Sequence, residues 1–267
     1  MKNSFTSGAA IPRVVLKDFK RVEINLPPLE TQRKIASIFS AYDDLIENNT
    51  RRIKILEEMA KAIYREWFVN FHFPGHEKVR MVDSSLGRVP EGWGVGRLDD
   101  ALLLQRGFDL PKKDRVGEGS VPVFAATGLN GHHNEAKVKA PCVITGRSGS
   151  LGTVIYVDED FWPLNTTLWV KEFRRATPIF SYYLLSGLGL AQYNAGAAVP
   201  TLNRNDIHCL SVVLPPRHLL EIFESRLSAI FRFKKVLQKK AENLRQTRDL
   251  LLPKLISGEV EVSELAV

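Results

Sequence analysis

The chain has 267 residues, 44% apolar and 25% charged, which suits a globular protein able to bury a sizeable core in one or two domains. Its two cysteines, Cys142 and Cys209, exclude a disulfide framework and a short-spaced metal pair, and they fit a reducing cytoplasm. Met1-Lys2-Asn3-Ser4 opens no apolar signal segment and no apolar run reaches about 18 residues, so neither secretion nor a membrane span is expected, while the net charge of +7 leans towards polyanions such as nucleic acid.

Residues 1–28 are the first copy of an internal repeat. A shift of 188 positions lays Gly8-Ala9-Ala10-Ile11-Pro12 over Gly196-Ala197-Ala198-Val199-Pro200, Asp18 over Asp206, and Leu26-Pro27-Pro28 over Leu214-Pro215-Pro216. Ile11/Val199, Val14/Leu202, Phe19/Ile207, Val22/Leu210 and Ile24/Val212 are apolar in both copies. So long a period suits a duplicated module and not a solenoid. Val22, Ile24 and Leu26 alternate as a short strand that Pro27-Pro28 stops.

A helix free of Gly and Pro is predicted from Leu29 to about Phe68. Ile35, Tyr42, Leu56 and Ile63 fall in one heptad register with Asn49, and Phe39, Ile46, Ile53, Ala60 and Trp67 form a second seam, thickened by Ile38, Leu45 and Met59. Such a rod is about 60 Å long, which argues for a coiled-coil partner over a core helix of one compact domain, with Asn49 either a polar residue setting register or a solvent-facing one. A polar linker leads to Val89-Pro90-Glu91-Gly92-Trp93, which opens a mixed domain over residues 93–216. Strands are predicted at Val121–Phe124, Cys142–Thr145, Thr153–Val157 and Thr167–Val170, and a helix over Pro178–Leu188. The second copy of the repeat closes the domain. A second rod runs from about Arg217 to Ile256 on the seam Ile230, Leu237, Leu244 and Leu251, cut by Lys234 and Arg248, with Gly258 as its stop. Nine Lys/Arg against two acids between Arg226 and Lys254 make it basic, either as a solvated face or as a neighbour of DNA or an acidic partner.

Catalytic signatures fail one by one. Gly146-Arg147-Ser148-Gly149-Ser150-Leu151-Gly152 lacks the Lys-Ser/Thr of a phosphate loop and reads as a turn between strands. Asn25-Leu26-Pro27-Pro28 lacks the aromatic residue of a methyltransferase tetrapeptide. His132-His133 have no helical zinc spacing, and Pro74 separates His72 from His76. What remains is a binding surface of turn residues: Thr127, Asn130, His132, His133, Asn134, Arg147, Ser148, Ser150, Asn165 and Thr166, with Arg106 beside them. Their side chains reach phosphates and base edges. Arg147 is the leading candidate, and Thr201, Asn203 and Arg204 form a second group.

The chain resembles the specificity (S) subunits of type I restriction-modification enzymes. The resemblance rests on Pro28-Leu29-Glu30-Thr31-Gln32-Arg33-Lys34-Ile35-Ala36, on Leu56-Glu57-Glu58-Met59-Ala60-Lys61-Ala62-Ile63-Tyr64-Arg65-Glu66-Trp67-Phe68, and on Val89–Trp93. Gly128-Leu129-Asn130-Gly131, Gly146–Gly152, Phe161–Thr167 and Arg248-Asp249-Leu250-Leu251-Leu252-Pro253-Lys254-Leu255 complete it. It implies an α/β (α+β) target recognition domain at 74–216, flanked by long α-helices at 29–70 and 217–258 that pair as an antiparallel coiled coil, with a tail at 259–267. It implies no catalysis and no cofactor in this chain. S-adenosylmethionine, ATP and Mg are expected in partner subunits, the methyltransferase (M) subunits docking on the helices and the restriction (R) subunits joining through them. Double-stranded DNA is the expected ligand and no membrane is involved. Family members carry two recognition domains, whereas this chain has one, so residues 1–28 resemble the end of another. A half-subunit that homodimerises, a split-gene partner of a second specificity half, and a decayed fragment all fit. A coiled-coil adaptor that binds protein is the alternative from another class.

Overall fold

The structure is a computed structural model that describes residues 6–7, 13–14, 26–114 and 119–262. At its start β1 (Thr6–Ser7) and β2 (Arg13–Val14) pair antiparallel, Thr6 opposite Val14. In the second copy of the repeat Asn194 and Leu202, the same two positions displaced by 188, form an antiparallel bridge. The repeat is therefore one of backbone pairing as well as of sequence. The predicted strand at Val22 and Ile24 lies outside the described residues.

The first rod is α1 (Leu29–Phe68), with Glu30 in its first turn and Arg65 in its last, each on the side that the helix dipole favours. Beyond it come β3 (Met81–Ser84), β4 (Gly87–Pro90), β5 (Gly94–Arg97), the single turn α2 (Leu98–Ala101) and β6 (Leu102–Arg106). Then follow β7 (Val121–Ala125), β8 (Gly128–His133), β9 (Cys142–Gly146), β10 (Val154–Val157), β11 (Trp162–Pro163) and β12 (Thr167–Phe173). The chain continues through α3 (Pro178–Gly187), α4 (Arg204–His208), β13 (Ser211–Leu214) and the second rod, α5 (Arg217–Ser257). Gly258, at φ +76°, takes the left-handed turn that ends α5.

The fold separates into two compact units, residues 1–53 with 235–267 and residues 54–234. Both boundaries fall inside the long helices. In the second unit the strand order is β10-β9-β12-β6, antiparallel throughout, beside a three-stranded sheet β11-β7-β8 and the pair β13-β5. β9 is buried at all five positions, so it shows no alternation of buried and exposed residues. Burial pushes the Cys142 thiol up to about 12, which leaves it an inert packing group.

An aromatic hub ties the helices to the sheet within this unit. Phe68 meets Phe223 at 4.8 Å and Phe180 at 4.9 Å, both edge to face, and Tyr64 stacks on Tyr183 at 5.1 Å. Trp93, from the Val-Pro-Glu-Gly-Trp stretch, closes the hub against Phe68 and Phe73. Glu224 of α5 adds a polar tie. Its carboxylate oxygens accept the N–H of Ile179 at 3.1 and 3.2 Å, capping α3 where Thr177 makes no side-chain cap. Desolvation raises the pKa of that carboxyl, and the bonds from Ile179 N–H partly offset the rise.

The heptad seams are where periodicity places them. In the first unit Ile35 and Ile46 are buried and Phe39, Tyr42, Asn49 and Ile53 half-buried, as are Leu244 and Leu251 beside buried Leu237, Ala241 and Leu255. In the second unit Leu56, Ile63 and Ile230 are half-buried and Ala60, Trp67 and Leu227 buried. Two expectations need correction. Leu45 and Met59 do not thicken the seam; they are 52% and 50% exposed on the outer side of the helix. Nor do Lys234 and Arg248 cut it. In the second unit Lys234 Nζ reaches Glu57 Oε1 at 3.3 Å, and in the first Arg248 Nη1 donates to Asp43 Oδ1 at 2.6 Å. Each basic stem lies on the seam while its head finds an acid on the facing helix.

Candidate nucleic-acid interface

Four strand ends of the second unit deliver the predicted turn residues to one place. The turn from β9 to β10 carries Arg147, Ser148 and Ser150, and the turn from β11 to β12 carries Asn165 and Thr166. The backbone N–H groups of Arg147 and Ser148 both donate to the carbonyl of Thr166, at 2.8 and 3.1 Å. Arg147 Nη1 donates to the carbonyl of Asn165 at 3.1 Å, so the guanidinium is held in place with donors to spare. From the turn after β7, Ala126 N–H donates to Thr166 Oγ1 at 3.3 Å, which brings exposed Thr127 to the edge of the group. Arg106, at the end of β6, lies 3.7 Å from Asp109, and the amide nitrogen of Asn165 donates to that same Asp109.

The β9–β10 turn is shaped by glycine and braced from behind. A Cβ on Gly146 would stand 1.8 Å from the carbonyl oxygen of Ser150, so only glycine lets the turn close this tightly. The brace is the second copy of the repeat. Gly149 N–H donates to Pro200 O at 2.9 Å, Leu202 N–H donates to Arg147 O at 2.8 Å, and Ser148 bridges Thr201. The strap is itself fixed by Asn194, whose side-chain oxygen accepts the N–H of Gly196 and of Thr201, each at 2.9 Å. The Gly-Ala-Ala-Val-Pro stretch thus supports the loop that presents Arg147.

Other predicted residues fall elsewhere. His133 stands edge-on against Trp162 at 5.1 Å with its Nδ1 buried, as part of the wall behind β8 and not of the exposed group. His132 is half-buried on the same strand, and Asn130 and Asn134 are exposed near its ends. Asn203 caps α4 by accepting the N–H of Asn205 at 3.1 Å, a structural duty that explains its residue type without DNA. Arg204, the next residue, is exposed, and Thr201 Oγ1 donates to the carbonyl of Val199 within the strap. His72 and His76 do come together, ring centroids 5.2 Å apart, with Glu66 2.9 Å from His72 Nδ1 and the Phe73 carbonyl 2.9 Å from His76 Nδ1. Asp109 and Asn194 were not expected. Asn194 had a signal, an Asn two residues before a Gly, which is an Asx-turn pattern. Asp109 had none.

The family model for the type I restriction modification DNA specificity domain matches residues 1–58 and 90–243. Among curated proteins the chain is 29% identical to the type I restriction enzyme MjaIX specificity subunit of Methanocaldococcus jannaschii, over 97% of this chain and 66% of the relative. It is 24% identical to the MjaVIII specificity subunit of the same organism, over 99% of this chain and 69% of the relative. A crystal structure of a type I restriction-modification S subunit from M. genitalium covers 94% of this chain with a TM-score of 0.66 at 18% identity, a likeness of fold, and the chain covers 67% of that one. The chain thus spans about two thirds of the length of the relatives it matches.

Proposed function

The chain belongs to the type I restriction modification DNA specificity family, and from that premise we propose that it is a sequence-recognition subunit that reads one half of a bipartite DNA target and leaves catalysis to partner subunits. The observation that carries the reading is the braced loop group at Arg147. An arginine, an asparagine and two threonines from three strand ends stand together, half-buried or exposed, on backbone that is bonded behind them. Rigid presentation of a few polar side chains is what direct reading of base edges requires. The paired helices give methyltransferase subunits their docking surface, and restriction subunits join through those. S-adenosylmethionine, ATP and Mg belong to these partners. The chain pairs with a further specificity polypeptide, a copy of itself or another chain.

The test is a gel shift of the chain with and without its methyltransferase subunits, at fixed salt, followed by site-specific methylation. Arg147→Ala is expected to weaken site-specific binding about tenfold while assembly stays intact, since a bidentate base contact is worth ~1–3 kcal/mol. Unchanged site-specific methylation in that variant removes Arg147 from the interface. A wild-type complex without any site preference overturns the function itself and favours an adaptor.

A further inference from the structure

Resting on the reading that this face meets DNA, we propose that Asp109 is a positioning residue that fixes the side-chain amide of Asn165 to recognise adenine. Asp109 follows β6 in the segment Gly107-Phe108-Asp109-Leu110. Its neighbours anchor it: Leu110 is buried, and Phe108 packs between Trp162 and Trp169 at 6.4 and 6.1 Å. The Asp109 side chain itself stays 73% exposed, with Arg106 at 3.7 Å offsetting its charge. A carboxylate on a surface that meets phosphates is unfavourable in itself, so its presence needs a task.

That task follows from donor and acceptor counting. Asn165 donates its side-chain nitrogen to Asp109 Oδ1, and its backbone carbonyl is held by Arg147. A carboxylate can only accept, so the nitrogen of the amide must face Asp109 and the oxygen must face away; the usual ambiguity of an amide flip is removed by chemistry. Among the described residues the Asn165 side chain has no other partner. It therefore presents one N–H and one oxygen outward. In the major groove adenine offers an N6 donor beside an N7 acceptor, which that pair matches; guanine offers two acceptors and cytosine a donor alone. Without Asp109 the amide turns freely and the discrimination blurs.

The experiment assembles the chain with its methyltransferase subunits and selects bound sequences from a randomised duplex library at fixed salt. Asn165→Ala is expected to cut the preference for adenine at one position about tenfold. Asp109→Ala should cut it at the same position by about three- to tenfold and leave every other position alone. Asp109→Glu keeps an acceptor-only carboxylate and should stay closer to wild type than Asp109→Ala at that position. An unchanged profile for Asp109→Ala, an Asn165→Ala variant that keeps every adenine preference, or an Asp109→Glu variant as impaired as Asp109→Ala overturns the proposal. Should Asp109→Ala fail to assemble, the other two variants decide it by the same criteria. A wild-type complex with no selected sequence fails the underlying DNA-reading function, a result visible before any variant is compared.

Discussion

The imidazole of His208 accepts the backbone N–H of Leu104 through Nε2 at 3.0 Å, in a position 7% exposed. Accepting there requires the neutral ring. Burial lowers the His208 pKa below its ordinary value, with Arg204, Arg174 and Arg97 acting in the same direction and Asp99 against them. The unfolded chain therefore takes the proton first. The contribution of His208 to stability is complete above the ordinary imidazole value and is lost as pH falls from there through the depressed folded value. Melting temperature followed from about pH 8 to about pH 5 should drop more steeply for wild type than for His208→Gln, whose amide oxygen accepts the same proton; equal slopes would show that the ring bears no such constraint. Residue types alone did not reveal this scale. His133 and Asn203 have the side chains of DNA contacts, yet Trp162 covers one and a helix end employs the other. Neighbours decide such roles, and the neighbours of Asp109 come from residues 56 positions away.

Elements were far more legible, because their signal is summed over many residues. The two rods lie where heptads and the absence of Gly placed them, Leu29–Phe68 and Arg217–Ser257, and the predicted strands over 121–124, 142–145 and 167–170 are all present. Less legible was which long side chain faces the partner helix. Lys234 and Arg248, two heptads apart, meet Glu57 and Asp43, also two heptads apart, so charge as well as apolar packing specifies antiparallel register. The prediction is a charge swap. Glu57→Lys and Lys234→Glu should each destabilise the protein, and the double variant should recover part of that loss, with a coupling of about 0.2–1 kcal/mol by denaturant melts. Strictly additive losses would mean that the pair sets no register.

For the whole molecule the repeat supplies a comparison between two identical positions. Leu214 ends β13 and is 1% exposed, whereas its counterpart Leu26 is 71% exposed. In the first unit Leu29, Leu250 and Ile256 are likewise exposed, at 61%, 69% and 51%. Exposed apolar side chains at these positions are available to a partner surface. The β1–β2 pairing at Thr6 and Val14 has the register of the strap that braces the Arg147 loop. Under the proposed function the chain pairs with a further specificity polypeptide. Light scattering on the size-fractionated protein should give twice the chain mass, or that of chain plus complement on mixing with a different half. Leu26→Asp with Leu250→Asp should return it to a single chain, whose melting temperature no longer depends on protein concentration. A wild-type chain that stays single at every concentration, with its methyltransferase and a candidate complement present, would leave that face without an occupant and end the paired-half reading.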